Sequence, residues 1–319
     1  MKSMDVITIG ETMVLFTPET SGKMRYAKQF SMKFGGAESN VAIGLSRLGH
    51  DAGWISKVGN DEFGKAMTAF ISGEGVDVSQ VIVSADAATG VYFKEPRRAD
   101  DVRVYYYRKG SAASTLTKED LDEEYIAKAK YLHITGITPA LSDSCAETIY
   151  EAIAIAKRHN VKIVFDPNLR KKLWSEEKAR NTLLEIASKA DIILPGVSEG
   201  KFMFGESDPV KLGSLFLEHG ASTVVLKLGA EGAIYFTKDE QRTVPGFPVK
   251  QVVDPVGAGD GFAAGFISGL LDGLELNKAV KRANAVGAFV TMVNGDVEGL
   301  PERDEIESLI NNSDEDVSR

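Results

Sequence analysis

The chain has 319 residues, enough to bury a sizeable core in one large α/β domain or two smaller ones. Its composition is ordinary for a globular protein (43% apolar, 26% charged), and a net charge of −9 argues against non-specific binding to nucleic acid or anionic membranes. The one cysteine, Cys145, can build neither an internal disulfide nor a cysteine-based zinc site, which fits a reducing, cytoplasmic setting.

Val6-Ile7-Thr8-Ile9 reads as a short buried strand ending in a turn, and the acids Asp5 and Glu11 would interrupt the apolar segment of a secretion signal. Residues 12–34 are short and β-like. Gly35-Gly36-Ala37-Glu38-Ser39-Asn40 then precedes a helix with apolar positions at Val41, Ile43, Leu45 and Leu48. Paired glycines let backbone approach a polyhydroxylated ligand, and Asn40 offers both a donor and an acceptor; the same residues could form a plain turn before a helix. Gly59-Asn-Asp-Glu-Phe-Gly64-Lys65-Ala66 nearly fits a P-loop, but Ala66 lacks the hydroxyl that magnesium needs.

Thr89–Phe93 and Val102–Arg108 read as two strands joined by a polar, charged loop, forming with residues 12–34 a small accessory sheet. A period of two puts Val102, Val104, Tyr106 and Arg108 on one face and Arg103, Tyr105 and Tyr107 on the other. A phenol beside a guanidinium fork suits a carboxylate, although an exposed strand with a solvated arginine has the same pattern.

Further buried strands are expected at Tyr131–Ile134, Lys162–Phe165, Asp191–Leu194 and Thr223–Lys227, with helices such as Ser144–His159 between them, where Ser142 or Ser144 could act as cap. This alternation predicts a parallel sheet covered on both faces, with ligands beyond the carboxyl ends of its strands. No internal repeat or dinucleotide fingerprint occurs, the four histidines lack metal-site spacing, and the longest near-apolar run, 261–271, is far shorter than the ~20 residues of a membrane span.

The strongest chemical signal is Asp254-Pro-Val-Gly257-Ala258-Gly259-Asp260-Gly261, a glycine-rich turn opening an apolar helix. Uncovered N–H groups of Gly257, Ala258 and Gly259 and the helix dipole make an anion site, and Asp260 in the first turn could accept a hydroxyl proton beside it. On physical grounds alone, a helix-capping aspartate and a catalytic base are equally open.

This stretch resembles the carboxyl-terminal signature of the ribokinase-like (PfkB-type) sugar kinases, and Gly35–Ala42 with Gly49 and Gly59 resembles their amino-terminal signature. The resemblance spans residues 5–305 and implies a three-layer α/β/α fold with a mostly parallel central sheet and a small β-sheet lid, ATP as phosphoryl donor and Mg²⁺. One kinase domain is then expected over 1–310, with lid strands from about 12–34 and 89–113, and a polar, disordered tail over 311–319.

The resemblance also implies roles. Gly35, Gly36 and Asn40 would contact the sugar and Asp260 would be the base. Tyr105-Tyr106-Tyr107-Arg108-Lys109-Gly110-Ser111-Ala112 resembles the segment of 2-keto-3-deoxygluconate kinases in which residues matching Tyr106 and Arg108, with Tyr92, hold an acid sugar. Arg170 in Asp166-Pro-Asn168-Leu-Arg170 would lie near substrate and nucleotide phosphate, with Asn168 on the nucleotide side. Lys227, Gly229 and Gly232 would form the nucleotide loop, Asn284 would lie near adenine and Asp296 near substrate. Where the family carries Asn-x-x-Glu, this chain has Gly196-Val-Ser-Glu199, so Glu199 would meet Mg²⁺ through water and direct side-chain ligation is in doubt.

The expected reaction is ATP-dependent phosphorylation of the terminal hydroxyl of 2-keto-3-deoxygluconate. A fructokinase or ribokinase acting on a neutral sugar, and a non-catalytic sugar or nucleotide sensor, are the alternatives. An aspartate of ordinary pKa is a weak base at neutral pH, so positioning is expected to outweigh proton affinity. A monovalent-cation requirement stays open, and a homo-oligomer is expected through the edges of the lid sheet.

Overall fold

Alternation along the first strand sets the architecture. In β1 (Met4–Ile9), Val6 packs into one apolar cluster while Ile7 and Ile9 pack into another, so the strand is buried on both faces. The computed structural model describes residues 3–98 and 101–317. The remaining strands are β2 (Met13–Pro18), β3 (Phe30–Gly35), β4 (Ala52–Gly59), β5 (Val81–Ser84), β6 (Val91–Arg98), β7 (Asp101–Tyr107), β8 (Ala129–Thr135), β9 (Lys162–Asp166), β10 (Ile192–Ile193), β11 (Thr223–Lys227), β12 (Gly232–Phe236) and β13 (Gln241–Pro245).

The main sheet runs β13-β12-β11-β10-β9-β8-β1-β4-β5, parallel from β11 to β5, with β12 and β13 antiparallel at one edge. Helices Asp143–Arg158, Glu176–Ala187 and Pro209–Glu218 cover one face through Ile149, Leu183 and Phe216. Helices Ala37–Arg47, Ala258–Leu271 and Leu276–Val290 cover the other through Val41, Phe266 and Ala283. The expected α/β/α layering with a mostly parallel sheet is therefore present. Ser142, not Ser144, caps the helix Asp143–Arg158, accepting from Cys145 N–H.

The lid is a second sheet ordered β3-β2-β6-β7. Residues 94–98, expected in a loop because of their charges, continue β6 and pair with β7. Their charges have partners: Glu95 accepts from Arg97, from the Tyr105 hydroxyl and from Met24 N–H, so strand pairing leaves no isolated buried charge. The tail also differs from expectation. The helix Arg303–Val317 runs through residues 311–317, because Ile306 with Leu309 and Ile310 anchors it and extending an existing helix costs little; 318 and 319 lie outside the described residues.

The helix Ala258–Leu271 is apolar around most of its circumference because it lies between the sheet and two other helices. Gly261, Gly265 and Gly269 form a stripe along it, facing Val286, Ala283 and Ala279 of the helix Leu276–Val290. A Cβ at Gly265 would sit 3.0 Å from both the Ala283 Cα and the Arg282 carbonyl oxygen. Gly265→Leu is therefore expected to overpack this contact and cost about 1–3 kcal/mol or more. Urea unfolding should show a lower midpoint, and an unchanged midpoint would show that the stripe is not a close contact.

Candidate active site

The carboxyl ends of β1, β8, β9 and β11 and the inner face of the lid enclose a cleft of about 460 Å³. Gly257 takes a left-handed conformation (φ 81°) at the N-cap of the helix Ala258–Leu271, turning the chain so that Asp260 faces the cleft floor. Asn40, from the first turn of the helix Ala37–Arg47, donates its Nδ2 to Asp260 Oδ2 at 2.8 Å. One donor expected to serve the ligand therefore orients Asp260, and Asn40 Oδ1 is a buried acceptor without a partner among the described residues. Burial pushes the Asp260 carboxyl up to about 8, and Asp166 and Asp296 add to the rise against the opposing Asn40 bond and Arg170. The expectation of an ordinary aspartate is thus corrected: charges from separate parts of the chain, at Asp166, Arg170 and Asp296, meet here.

On one side of Asp260, Lys227 at the end of β11 pairs with Asp166 at the end of β9 (2.6 Å). Burial works against the ammonium, but Asp166 and Glu199 outweigh it and hold Lys227 protonated. Burial raises the Glu199 pKa; its carboxyl accepts from Gly196 N–H (2.7 Å) and Leu169 N–H (3.0 Å). Gly196 lines neither this cleft nor its neighbour, unlike every other expected site residue; it caps the helix Val197–Phe204 and holds Glu199. Among the described residues no cluster of three acidic, histidine or cysteine side chains could hold a metal alone. Asn168 and Arg170 line the cleft beside this group.

On the other side stand the lid residues. Tyr92 and Tyr106 stack at 5.6 Å between centroids, and the Arg108 guanidinium lies 5.7 Å from the Tyr106 ring centroid. Arg108 is not a free cation: Nε and Nη2 bond Glu11 Oε2 at 2.7 and 2.5 Å, leaving Nη1 without a partner among the described residues. Ser111 donates to the other Glu11 oxygen at 2.5 Å. Tyr92 donates to Asp296 Oδ2 (3.2 Å), and burial raises Asp296 to about 6. A side chain at Gly35 would collide with Asp296 and the Tyr92 hydroxyl, so the paired glycines admit these groups.

A second cavity of about 440 Å³ adjoins the first, and Lys227, Pro255 and Gly259 line both. Phe247, Val249, Val252 and Ala288 supply apolar walls, and Gly229, Gly232, Ala258 and Asn284 line it as expected. Asn284 Nδ2 bonds the Val244 and Pro245 carbonyls (3.1 and 3.0 Å), ordering the cavity wall. The rejected P-loop is filled by its own acid: Asp61 accepts from the N–H groups of Gly64 and Thr89.

Sequence reasoning assigned no role to Glu11, Lys94 or Asp166. Glu11 follows β1 closely and Asp166 ends β9, so charged residues at the carboxyl ends of parallel strands could have flagged both. Lys94 carried no such signal, having been read as part of a loop.

The chain matches the family model described as pfkB family carbohydrate kinase over residues 3–303. It is 43% identical over 309 residues to the 2-dehydro-3-deoxygluconokinase of Bacillus subtilis (strain 168), covering 96% of this chain and 95% of that protein. It is 36% identical over 312 residues to the enzyme of the same name from Thermoproteus tenax, covering 96% and 94%. Among solved structures, a putative ribokinase II from E. coli in complex with ATP and Mg²⁺ superposes with a TM-score of 0.89 at 30% identity, covering 97% of this chain and 99% of that one. With its two adjoining cavities on the carboxyl edge of the sheet, the chain belongs to the PfkB family of carbohydrate kinases.

Proposed function

We propose that the protein transfers the γ-phosphoryl group of ATP to the terminal hydroxyl of 2-keto-3-deoxygluconate, the compound also called 2-dehydro-3-deoxygluconate. The observation that carries this reading is the spacing of opposite chemistries along one cleft. The free Nη1 edge of Arg108 lies at the lid end, and Asp260 lies beside the helix N-terminus at the other. A carboxylate held by Arg108, with Tyr92 and Tyr106 against the carbon chain, would direct the far hydroxyl toward Asp260. The names of the two relatives point to the same substrate.

In this reading the hydroxyl proton passes to Asp260, the oxygen attacks the γ-phosphorus, and ADP leaves with the broken bond's electrons. The N–H groups of Gly257, Ala258 and Gly259 receive the charge that spreads over the phosphoryl oxygens. A carboxyl raised to about 8 is a far better proton acceptor than an ordinary aspartate. The apolar second cavity suits the adenine, and Lys227, shared by both cavities, suits the phosphates between them. Asp166 and Glu199 would meet Mg²⁺ through water, there being no third such ligand beside them among the described residues, and the ion would neutralise phosphate charge when bound.

The outer lid face supports self-association. Phe30, Met32, Tyr105 and Tyr107 are exposed there, more apolar surface than a lone lid needs. Among the described residues no helix is long and apolar enough to cross a membrane, and the buried, unpaired Cys145 accords with a reducing, cytoplasmic setting.

Steady-state assays with 2-keto-3-deoxygluconate, fructose and ribose test the reaction. Asp260→Asn is expected to lose turnover by roughly 10³-fold or more while still binding sugar; near-normal turnover would remove Asp260 as base. Arg108→Ala should cost the acid sugar about 10²-fold in kcat/KM and the neutral sugars little; equal losses would favour a neutral substrate. Because the deprotonated form accepts the proton, kcat/KM should rise with pH until about 8 and then level. Sedimentation of the wild type against Tyr107→Glu should show a dimer converted to monomer, and a monomeric wild type would exclude the lid interface.

A further inference from the structure

We propose that Lys94 is a positioning residue that couples docking of the lid to the order of the phosphoryl-binding turn Asp254–Gly257. The inference rests on reading that turn as the transfer site. Lys94 lies two residues after Tyr92 in β6, so both project from the inner face of the lid. Each holds a different segment of the body. Tyr92 donates to the Asp296 carboxylate, and the Lys94 ammonium pairs with the Asp254 carboxylate.

Those two segments enclose Gly257. Asp254 Oδ1 accepts from Val256 N–H at 3.2 Å, which bends the chain into the turn. On the other side, a Cβ at Gly257 would stand only 2.7 Å from the Asp296 carbonyl oxygen, so the Asp296 segment packs directly on it. One strand of the lid thus grips both walls of the turn, whose residues Pro255, Val256 and Gly257 line the cleft. The pair is well shielded, with 17% of the Lys94 side chain and 8% of the Asp254 side chain exposed.

Charge makes this grip consequential. Asp254, Asp260 and Asp296 place three carboxylates around a turn that must receive an anionic phosphoryl group. Lys94 is the lid ammonium set against them, and its partner Asp254 loses its counter-charge whenever the lid lifts. Because Tyr92, Tyr106 and Arg108 lie on the same sheet, a sugar that draws the lid down also brings Lys94 to Asp254. Substrate binding is thereby transmitted to the groups that hold the transferring phosphate.

The test compares full-length Lys94→Met, Lys94→Gln and Lys94→Arg with the wild type in saturating ATP, reading kcat and sugar KM separately. The neutral variants are expected to lose about 10-fold or more in kcat with sugar KM changed less than about threefold, and Lys94→Arg to recover most of the loss. Methylammonium added to Lys94→Met should restore part of kcat and leave the wild type unaffected, which a purely structural lysine would not allow. Asp254→Asn, approaching the same bond from the body, should show the same kcat loss without further loss when combined with Lys94→Gln. This pair keeps the test open if Lys94→Met fails to fold. A neutral variant with kcat within about twofold of wild type, or a loss confined to sugar KM, overturns the proposal. Asp260→Asn run in parallel separates the two readings: if it remains active, the turn itself is misassigned, and if it is inactive while Lys94→Gln is not, only the coupling fails.

Discussion

The close packing of the helix Ala258–Leu271 against its neighbours is the constraint on which the cleft depends. Gly261, Gly265 and Gly269 let the helix Leu276–Val290 approach on one side, and Gly44 of the helix Ala37–Arg47 meets Ala264 on the other. With a glycine on one side of each of these contacts, the helices hold the N-terminus of Ala258–Leu271 at the carboxyl edge of the parallel sheet. There its N–H groups, which have no side-chain cap, its dipole and Asp260 act on the same small volume. The approach of Ala37–Arg47 also brings Asn40 to Asp260, two residues far apart in the chain.

Around that fixed point the protein gathers charge that would be unfavourable elsewhere. Asp166, Glu199, Asp260 and Asp296 come within one cleft, and burial raises the pKa of the last three. Lys227 and Lys94 offset this from opposite sides, one fixed on a core strand and one carried by the lid. A site built this way is biased toward accepting protons and cations, which suits a kinase that brings a metal-bound polyphosphate into the cleft.

Arg108 shows how a residue can be placed correctly beside its neighbour and still be misread. Its place one residue beyond β7, on the same side as Tyr106, followed from the period of two. Its ion pair with Glu11 did not, because Glu11 sits almost a hundred positions earlier, at the end of β1. The pair changes the chemistry: Glu11 fixes the guanidinium plane and leaves one edge free, so Arg108 offers direction more than net charge. Residues 94–98 were misread for a related reason. Local charge marked them as loop, whereas cross-strand partners made them strand.

The sequence alone determined the parallel core, the two small-residue turns and the identity of most residues in the cleft. The core and the turns are encoded locally, in hydrophobic periodicity, in strand-then-helix alternation and in runs of glycine that only certain backbone geometries require, whereas Tyr92, Asn168, Arg170, Glu199 and Asp296 were named through the family resemblance. Only the tertiary structure decided what those residues do to one another. The raised pKa of Asp260, the Glu11 support of Arg108, the diversion of Asn40 to Asp260 and the reach of Lys94 to Asp254 all join distant parts of the chain. Each depends on burial and on distances of a few ångströms, and electrostatic energy at that range is set by which loops the fold brings together.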